Sequence, residues 1–175
     1  MSADSRVYLR PVTRRDRIEF LDLMQQSRQL HEPWIQPPLS SLSFHNYLAR
    51  TQRDDHEGLL VCTRDTDSIA GVVNINNIVR GSFLSASLGY YAGAPFAGLG
   101  YMNEALELVK RYAFGNRGLH RLEANIQPDN VRSIALVKRC GFAFEGTSPG
   151  FLFIGGAWRD HERWTACDPR KSLHP

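Results

Sequence analysis

The sequence Gly98-Leu99-Gly100-Tyr101-Met102 lies between a strand pattern and a helix pattern. Before it, Leu84, Ala86, Leu88 and Tyr90 alternate with small or hydroxyl-bearing residues, as in a half-buried strand. After it, apolar residues recur at helical spacing: Met102, Ala105, Leu106, Val109, Tyr112 and Ala113. A glycine turn here leaves backbone N–H groups free at a helix N-terminus, where they suit a phosphate or pyrophosphate. The alternative is a turn that needs glycine only for its backbone conformation.

Length and composition predict one globular domain. The chain has 175 residues, of which 42% are hydrophobic and 22% charged. We expect a single domain at residues 7–168, with short tails at 1–6 and 169–175. The net charge of +3 comes from interspersed acids and bases, so strong nucleic-acid binding is not expected.

The cysteine pattern and the lack of long apolar runs predict a cytoplasmic protein. Cys62, Cys140 and Cys167 form no CxxC pair and no metal-ligand spacing, which favours reduced thiols and no metal site. No apolar run reaches the roughly 18 residues of a transmembrane helix, so no membrane partner is expected. The N-terminal residues lack the apolar core of a signal peptide.

Hydrophobic periodicity predicts a mixed α/β (α+β) domain. The order of elements is β-α-α-β-β-β-α-β-α-β-β, around a largely antiparallel sheet. Thr13 and Asp16 have capping-box spacing before the first helix, and Asn130 is a good N-cap for the last one. Two separate strands are expected at residues 142–145 and 151–154, followed by a Gly155-Gly156 turn and a strand at 158–166.

The order of these motifs resembles the GNAT (Gcn5-related) N-acetyltransferases, and within them the RimJ-like branch of ribosomal-protein-alanine N-acetyltransferases. The resemblance extends over residues 7–168, and it lies in the combined order and spacing of the motifs. Besides the glycine turn, these motifs are Glu32-Pro33-Trp34, Asn77 to Phe83, Leu88-Gly89-Tyr90, His120-Arg121, Asn130-Val131-Arg132-Ser133, Gly141-Phe142 and Trp158 to His161. It implies the GNAT fold, a mixed and mostly antiparallel sheet with helices on both faces.

The resemblance also implies acetyl-coenzyme A as the co-substrate. The pantetheine arm is expected along the strand that carries Leu88 and Tyr90, by a form of strand addition. The pyrophosphate is expected on the amides of Gly98, Leu99, Gly100, Tyr101 and Met102, with Asn130 near the coenzyme or serving only as a helix cap. The family pattern has Gln or Arg where this chain has Ala97, so weaker coenzyme binding is expected.

Three residues are candidates for proton transfer. Ser133 matches a serine proposed as the acid in RimL-like relatives, whereas the position of the tyrosine found in many others is Val137. The structural alternative for Ser133 is a bond to local backbone in the first helical turn. A glutamate of the RimL-like relatives is missing near Phe151, which leaves Glu123 and Glu104 as candidate bases. The structural alternative for Glu104 is an interaction with the helix dipole, and for Glu123 it is a solvated or salt-bridged side chain.

The acceptor that the resemblance implies is the N-terminal α-amino group of a protein or peptide, such as a ribosomal protein. Trp34 is the kind of apolar anchor that a peptide-binding rim uses, and Asn74 and Asn76 are candidates to line the acceptor channel. Packing in the core and structural hydrogen bonds are the alternatives for these residues. Two other functions stay open: acetylation of a small amine, such as a polyamine, amino acid or antibiotic, and a non-catalytic acyl-coenzyme A-binding or ribosome-assembly module. Both a monomer and a homodimer are compatible with the sequence.

Overall fold

The computed structural model describes residues 5–171 and contains one seven-stranded mixed sheet. Its strand order is β1-β2-β3-β4-β5-β7-β6, and only β4 and β5 are parallel neighbours. The strands are β1 (Val7–Pro11), β2 (His56–Thr63), β3 (Ile69–Val79), β4 (Ser85–Ala92), β5 (Arg121–Ile126), β6 (Ala143–Ile154) and β7 (Ala157–Cys167). The predicted mixed, mostly antiparallel sheet is therefore confirmed.

Helices cover both faces of the sheet, as predicted. They are α1 (Arg17–Gln26), the short α2 (Arg28–His31), α3 (Ser41–Thr51), α4 (Tyr101–Arg111) and α5 (Val131–Arg139). One buried cluster joins Leu106 of α4 and Val137 of α5 to the sheet. A second cluster on the other face contains Phe20 of α1 and Phe44 of α3. Helices α1, α3, α4 and α5 thus bury their apolar residues against one side or the other of the same sheet.

The parallel pair β4 and β5 separates partway along its length. Ser85 to Leu88 pair with Arg121 to Ala124, and no pairing follows beyond Leu88. The other edge of β4 continues to pair with β3 as far as Ala92. The β5-facing backbone of β4 after Leu88 therefore has no strand partner, and a V-shaped opening forms between the two strands.

Two sequence expectations about strands are corrected. Residues 142–145 and 151–154 are not separate strands, because β6 runs without interruption from Ala143 to Ile154. Pairing with β7 spans the intervening residues with register shifts at Phe144/Gly146 and Ser148/Leu152, so the glycine-containing stretch is bulged rather than a loop. Leu84, expected in β4, lies before the strand with a positive φ of 41°.

Candidate active site

A cavity of about 760 Å³ lies where β4 and β5 separate. Residues of β3, β4, β5, α3, α5, the loop after α2 and the β6–β7 hairpin line it. Of the residues predicted for the site, it brings together Trp34, Asn76, Leu88, Tyr90, Glu123, Asn130 and Ser133. Gly98 to Met102, Glu104 and Asn74 are not among its lining residues.

A row of polar side chains crosses four adjacent strands on the cavity side. Asn76 on β3 pairs with Ser87 on β4, and Ser87 pairs with Glu123 on β5. On the other side of β3, Asn76 pairs with His56 of β2. Because directly paired residues point to the same face of a sheet, all four side chains line the cavity.

Two hydroxyl groups meet at the mouth of the V. The Tyr90 hydroxyl lies 2.6 Å from Ser133 Oγ, which connects β4 to the first turn of α5. Asn130 caps α5, since its side chain accepts a hydrogen bond of 3.3 Å from the Ser133 backbone N–H. Burial raises the pKa of Tyr90, against the opposing effect of the Ser133 hydrogen bond, so the phenol keeps its proton. The pair can therefore donate a proton or a hydrogen bond into the opening.

The glycine turn before α4 presents free backbone donors. Gly98 and Gly100 have positive φ angles of 77° and 84°. The N–H groups of residues 98–102 donate to no atom of residues 5–171. A Cβ added at Gly98 would meet no heavy atom within 4 Å, so the space next to the turn is open. This arrangement suits an anion at the helix N-terminus.

Glu104, a candidate base, is committed to other partners. Its carboxylate accepts hydrogen bonds from the Arg6 backbone N–H at 2.7 Å, the Arg6 Nε at 2.6 Å and the Ser5 hydroxyl at 3.1 Å. Burial acts to raise its pKa, but the contacts with Arg6 and Ser5 outweigh it and hold the pKa below the ordinary value. The structure thus places Glu104 at the junction of α4 with the start of β1.

Glu123, the other candidate base, lines the cavity beside Arg121. Its Oε1 accepts hydrogen bonds from Arg121 Nε at 3.1 Å and Nη2 at 2.8 Å. Arg121 also binds both carboxylate oxygens of Glu145, at 2.7 and 2.6 Å. Oε2 of Glu123 makes no hydrogen bond within the described part of the chain, so this oxygen is available to a bound molecule.

The two asparagines predicted for the acceptor channel have different surroundings. Asn76 lines the cavity, but Asn74 is buried and accepts a 2.7 Å hydrogen bond from the Tyr47 hydroxyl of α3. Trp34 is half-buried at the cavity, and its carbonyl oxygen lies 3.5 Å from Gln127 Nε2. Asn76, predicted for the channel, and Trp34, predicted for the rim, thus both line the cavity, whereas the side chain of Asn74 is engaged inside the protein.

Sequence reasoning missed several cationic and imidazole groups near the site. Arg6 donates to the Leu99 carbonyl oxygen at 2.9 Å and stacks 4.6 Å from the Tyr101 ring centroid, so it lies against the glycine turn. Arg50 and His56 line the cavity, and so does Arg121. Arg121 was already part of the His120-Arg121 motif, although no role was predicted for it, whereas Arg6, Arg50 and His56 reach the site by long-range packing.

The described residues give no indication of a metal centre or a membrane span. Within residues 5–171, no cluster of three or more His, Cys, Asp or Glu side chains could hold a metal ion. None of the helices in this part of the chain is long and apolar enough to cross a membrane.

Curated relatives are N-acetyltransferases. The chain is 29% identical over 171 residues to the probable N-acetyltransferase YjcK of Bacillus subtilis (strain 168), covering 93% of this chain and 94% of that protein. It is 45% identical over 97 residues to the ribosomal protein uS5-alanine N-acetyltransferase of Escherichia coli (strain K12). This second match spans 55% of this chain and half of that protein.

Solved structures share the fold. Mycobacterium smegmatis RimJ in complex with CoA-disulfide superposes with a TM-score of 0.85 at 26% identity, covering 94% of this chain and 83% of that chain. The family model of the acetyltransferase (GNAT) domain matches residues 6–143. Together with the open V between β4 and β5 and the glycine turn before α4, these matches place the chain in the GNAT family, as an acetyl-coenzyme A-dependent N-acetyltransferase of the RimJ/RimL-like type.

Proposed function

We propose that this enzyme acetylates the N-terminal α-amino group of a protein, of the ribosomal-protein-alanine type. The similarity to the uS5-alanine N-acetyltransferase supports this acceptor class, although that match covers half of the relative. The main competing acceptor is a small amine such as a polyamine. The two acceptors differ in charge and size, and both properties can be compared with the cavity.

The charge of the cavity is the observation that carries the proposal. Among the described residues that line it, the titratable ones are Arg50, His56, Tyr90, Arg121, Glu123 and His161, so Glu123 is the sole carboxylate in this set. This carboxylate already faces the Arg121 guanidinium. A polyamine carries several positive charges and would need several carboxylates to offset their desolvation. A peptide N-terminus brings one amine followed by neutral amides, which fits one carboxylate among polar and cationic groups.

The shape of the cavity also suits a long acceptor. Several apolar residues that line it are exposed: Phe83 is 71% exposed, Val79 45% and Leu152 40%. A groove bordered by exposed apolar side chains can hold the first residues of a peptide while the rest of the protein lies outside. Trp34 adds an aromatic surface to the cavity lining.

The coenzyme is assigned to the V and the glycine turn. Acetyl-coenzyme A supplies the acetyl thioester, and the residues here bind and orient it. The pyrophosphate accepts hydrogen bonds from the free amides of Gly98 to Met102, with the helix dipole of α4 behind them. The unpaired edge of β4 after Leu88 offers backbone groups to the pantetheine amides. Arg6 brings a positive charge to the turn, where the family pattern has a side chain at Ala97.

Glu123, Ser133 and Tyr90 have separate roles in orienting the amine and protonating the leaving group. An α-amino group has a pKa of about 7.7–8.0, so a sizeable fraction is uncharged near neutral pH and can attack directly. The free Oε2 of Glu123 orients the amine through a hydrogen bond. Ser133, hydrogen-bonded to Tyr90, donates to the departing sulfur.

The proposal is tested by following thiol release from acetyl-coenzyme A with an array of N-terminal peptides and a panel of small amines. The array includes ribosomal-protein starts, and matched peptides with a blocked α-amino group serve as controls. Turnover confined to peptides with a free N-terminus, above all those starting with Ala or Ser, supports the proposal. Turnover confined to spermidine or another small amine contradicts the acceptor while leaving acetyl transfer intact.

A further inference from the structure

His56 separates the active-site cavity from a second, more polar pocket. It is the first residue of β2, and it lines both the 760 Å³ cavity and a neighbouring pocket of about 550 Å³. The second pocket is lined by polar side chains that include Asp55, Glu57 and Arg117. An imidazole in this position can exchange protons with both sides.

Asp55 holds this imidazole in one orientation. His56 Nδ1 lies 2.8 Å from Asp55 Oδ1, and Asp55 is also bound by Arg53 Nε at 3.0 Å and Nη2 at 2.9 Å. The hydrogen bond from His56, aided by Arg53, keeps the pKa of Asp55 below its ordinary value despite some burial. Asp55 is thus a carboxylate that orders the tautomer, with the proton on Nδ1. The other nitrogen, Nε2, makes no hydrogen bond within residues 5–171 and is free to accept a proton.

The row of polar residues connects His56 to the place where the amine reacts. His56 pairs with Asn76, Asn76 with Ser87, and Ser87 with Glu123, on adjacent strands and on one face. Neighbouring strands are about 4.8 Å apart, so successive members are within reach of one water molecule. The Ser87 hydroxyl donates to the backbone carbonyl oxygen of Asn76 at 3.3 Å, which holds the hydroxyl oxygen in the middle of the row.

We propose that His56 is the terminal proton acceptor of acetyl transfer, with Asp55 as its positioning residue. The inference rests on acetyl transfer and on the placement of the amine at Glu123 proposed above. The amine nitrogen forms a bond to the acetyl carbon, and the bond from that carbon to sulfur breaks. The nitrogen loses one proton through water along Ser87 and Asn76 to His56 Nε2, while the sulfur gains one from Ser133. The Ser133 hydroxyl then regains a proton from solvent, so the proton that His56 releases and the one that Ser133 takes up cancel. The imidazolium is balanced by Asp55 and returns its proton to solvent through the outer pocket.

Other charged groups surround His56 and are part of its environment. Arg50 faces it from α3, and Glu123 lies at the far end of the row. On the outer side the neighbours are Arg53, Asp54, Asp55, Glu57, Arg80, Tyr112 and Arg117. Among these, Glu57 and Arg117 neutralise each other in an ion pair of 2.5 Å. Asp55 is therefore the carboxylate that makes direct contact with the imidazole.

Two substitutions separate proton acceptance from structure. His56→Asn retains an N–H that can donate to Asp55 but has no basic nitrogen, and His56→Gln places an amide near the Nε2 position. Both variants are expected to lower kcat by about 10²-fold, the usual size of a general-base contribution, with little change in the KM of acetyl-coenzyme A. The matched control is His45→Gln, because His45 is exposed on α3 and does not line the cavity.

The pH profile is the readout that a structural role would not change. In the wild type we expect kcat to fall at acidic pH, and this limb should disappear in both His56 variants because they have no basic nitrogen at this position. The deficit should shrink at alkaline pH, where water or hydroxide removes the proton. Asp55→Asn should lower kcat and alter the acid limb, while calorimetric binding of acetyl-coenzyme A remains intact.

Two outcomes overturn the inference. One is wild-type kcat with an unchanged pH profile in either His56 variant. The other is a loss of kcat that is equal at every pH. The comparison uses whichever amine the wild type acetylates, so an error in the proposed acceptor appears in the wild-type assay and not in this one. Calorimetric coenzyme binding by the variants shows that they are folded.

Discussion

The Tyr90 hydroxyl lies 2.6 Å from Ser133 Oγ, across the gap where β4 and β5 stop pairing. Tyr90 belongs to the strand assigned to the pantetheine arm, and Ser133 belongs to the first turn of α5. A short contact between two hydroxyls leaves one proton free to point elsewhere. The contact therefore places a donor at the mouth of the V, which is where the leaving sulfur is expected.

Ser133→Ala is expected to lower kcat by about tenfold or more, and to raise the KM of acetyl-coenzyme A by less. Tyr90→Phe should have a similar but smaller effect, because it removes the partner and leaves the serine. The double variant should lose less than the sum of the two, since the residues act as a pair. Steady-state kinetics with a saturating acceptor measures all three. Equal turnover in wild type and Ser133→Ala would return Ser133 to a structural role.

Gly98→Asp is expected to weaken acetyl-coenzyme A binding by tenfold or more, about 1.4 kcal/mol. The added carboxylate repels phosphate at a turn whose amides are unpaired. Gly98→Asn is the matched control, because Asn has the same shape and both residues tolerate a positive φ. Calorimetry on the folded variants gives the dissociation constants. If both variants bind equally well, the pyrophosphate does not lie on this turn.

Glu104→Gln should lower the free energy of unfolding and leave kcat unchanged. The substitution weakens contacts with Arg6 and Ser5, which we expect to cost about 1–2 kcal/mol of unfolding free energy. Glu107→Gln on the same helix is the control, since the Glu107 side chain is more exposed than that of Glu104 and its single 2.8 Å ion pair with Lys110 should contribute about 0.5 kcal/mol or less. Urea denaturation and peptide kinetics measure the two effects. A large loss of kcat in Glu104→Gln would restore Glu104 as a candidate base.

The acid limb of stability should depend in part on Glu145. Hydrogen bonds from Arg121, aided by Thr165 and opposed by slight burial, lower the pKa of Glu145 to about 2. Because the folded pKa lies below the unfolded value, the stabilisation is complete above about pH 4.5 and disappears as the pH falls toward 2. The side chain is 38% exposed, so solvent screening limits the effect to about 1 kcal/mol or less.

Glu145→Gln tests this dependence directly. Urea denaturation of wild type and variant at pH 6 and pH 3 should show a difference in unfolding free energy at pH 6 that shrinks at pH 3. Other carboxylates with lowered pKa values, such as Asp16, titrate equally in both proteins and cancel in the difference. A constant difference at both pH values would contradict the assigned ion pair.

Asn74 and Asn76 should respond differently to substitution. Tyr47→Phe leaves the buried Asn74 Oδ1 without its 2.7 Å hydrogen bond, which should cost about 1–2 kcal/mol of stability with no change in kcat. Asn76→Ala should raise the KM of the acceptor with a small effect on stability, because its side chain lines the cavity. Denaturation and acceptor titrations on both variants distinguish these outcomes. An acceptor KM that changes with Tyr47→Phe would return Asn74 to the acceptor channel.

Features set by nearby residues could be predicted from the sequence. The order of the main elements followed from hydrophobic period, and the Asn130 cap and the positive φ of Gly98 and Gly100 followed from residue type. Ser133 and Glu123, predicted as catalytic candidates, both line the cavity, and their catalytic roles stay predictions. Ser133 was singled out by its place in the Asn130-Val131-Arg132-Ser133 motif, and Glu123 by the polar face of its predicted strand.

Features that depend on contacts between distant segments could not be predicted from the sequence. Nothing near Glu104 in the sequence shows that Arg6 binds it, since the two residues are 98 positions apart. His56 joins the cavity only because its strand pairs with β3 in one particular register. The sequence predicted two short strands where the structure has the single strand β6. This strand is continuous because β7 pairs along it on both sides of the glycines, and because Asp160 accepts a 2.7 Å hydrogen bond from the Gly150 N–H.

The most direct test of the central claim uses one peptide that offers two amines. A peptide with a free N-terminal alanine and an internal lysine is incubated with the enzyme and acetyl-coenzyme A, alongside spermidine as a competing acceptor. Mass spectrometry then locates the acetyl group. We predict acetylation of the α-nitrogen alone, with spermidine left unmodified. Acetylation of the lysine side chain or of spermidine in preference to the α-nitrogen would contradict the proposed function.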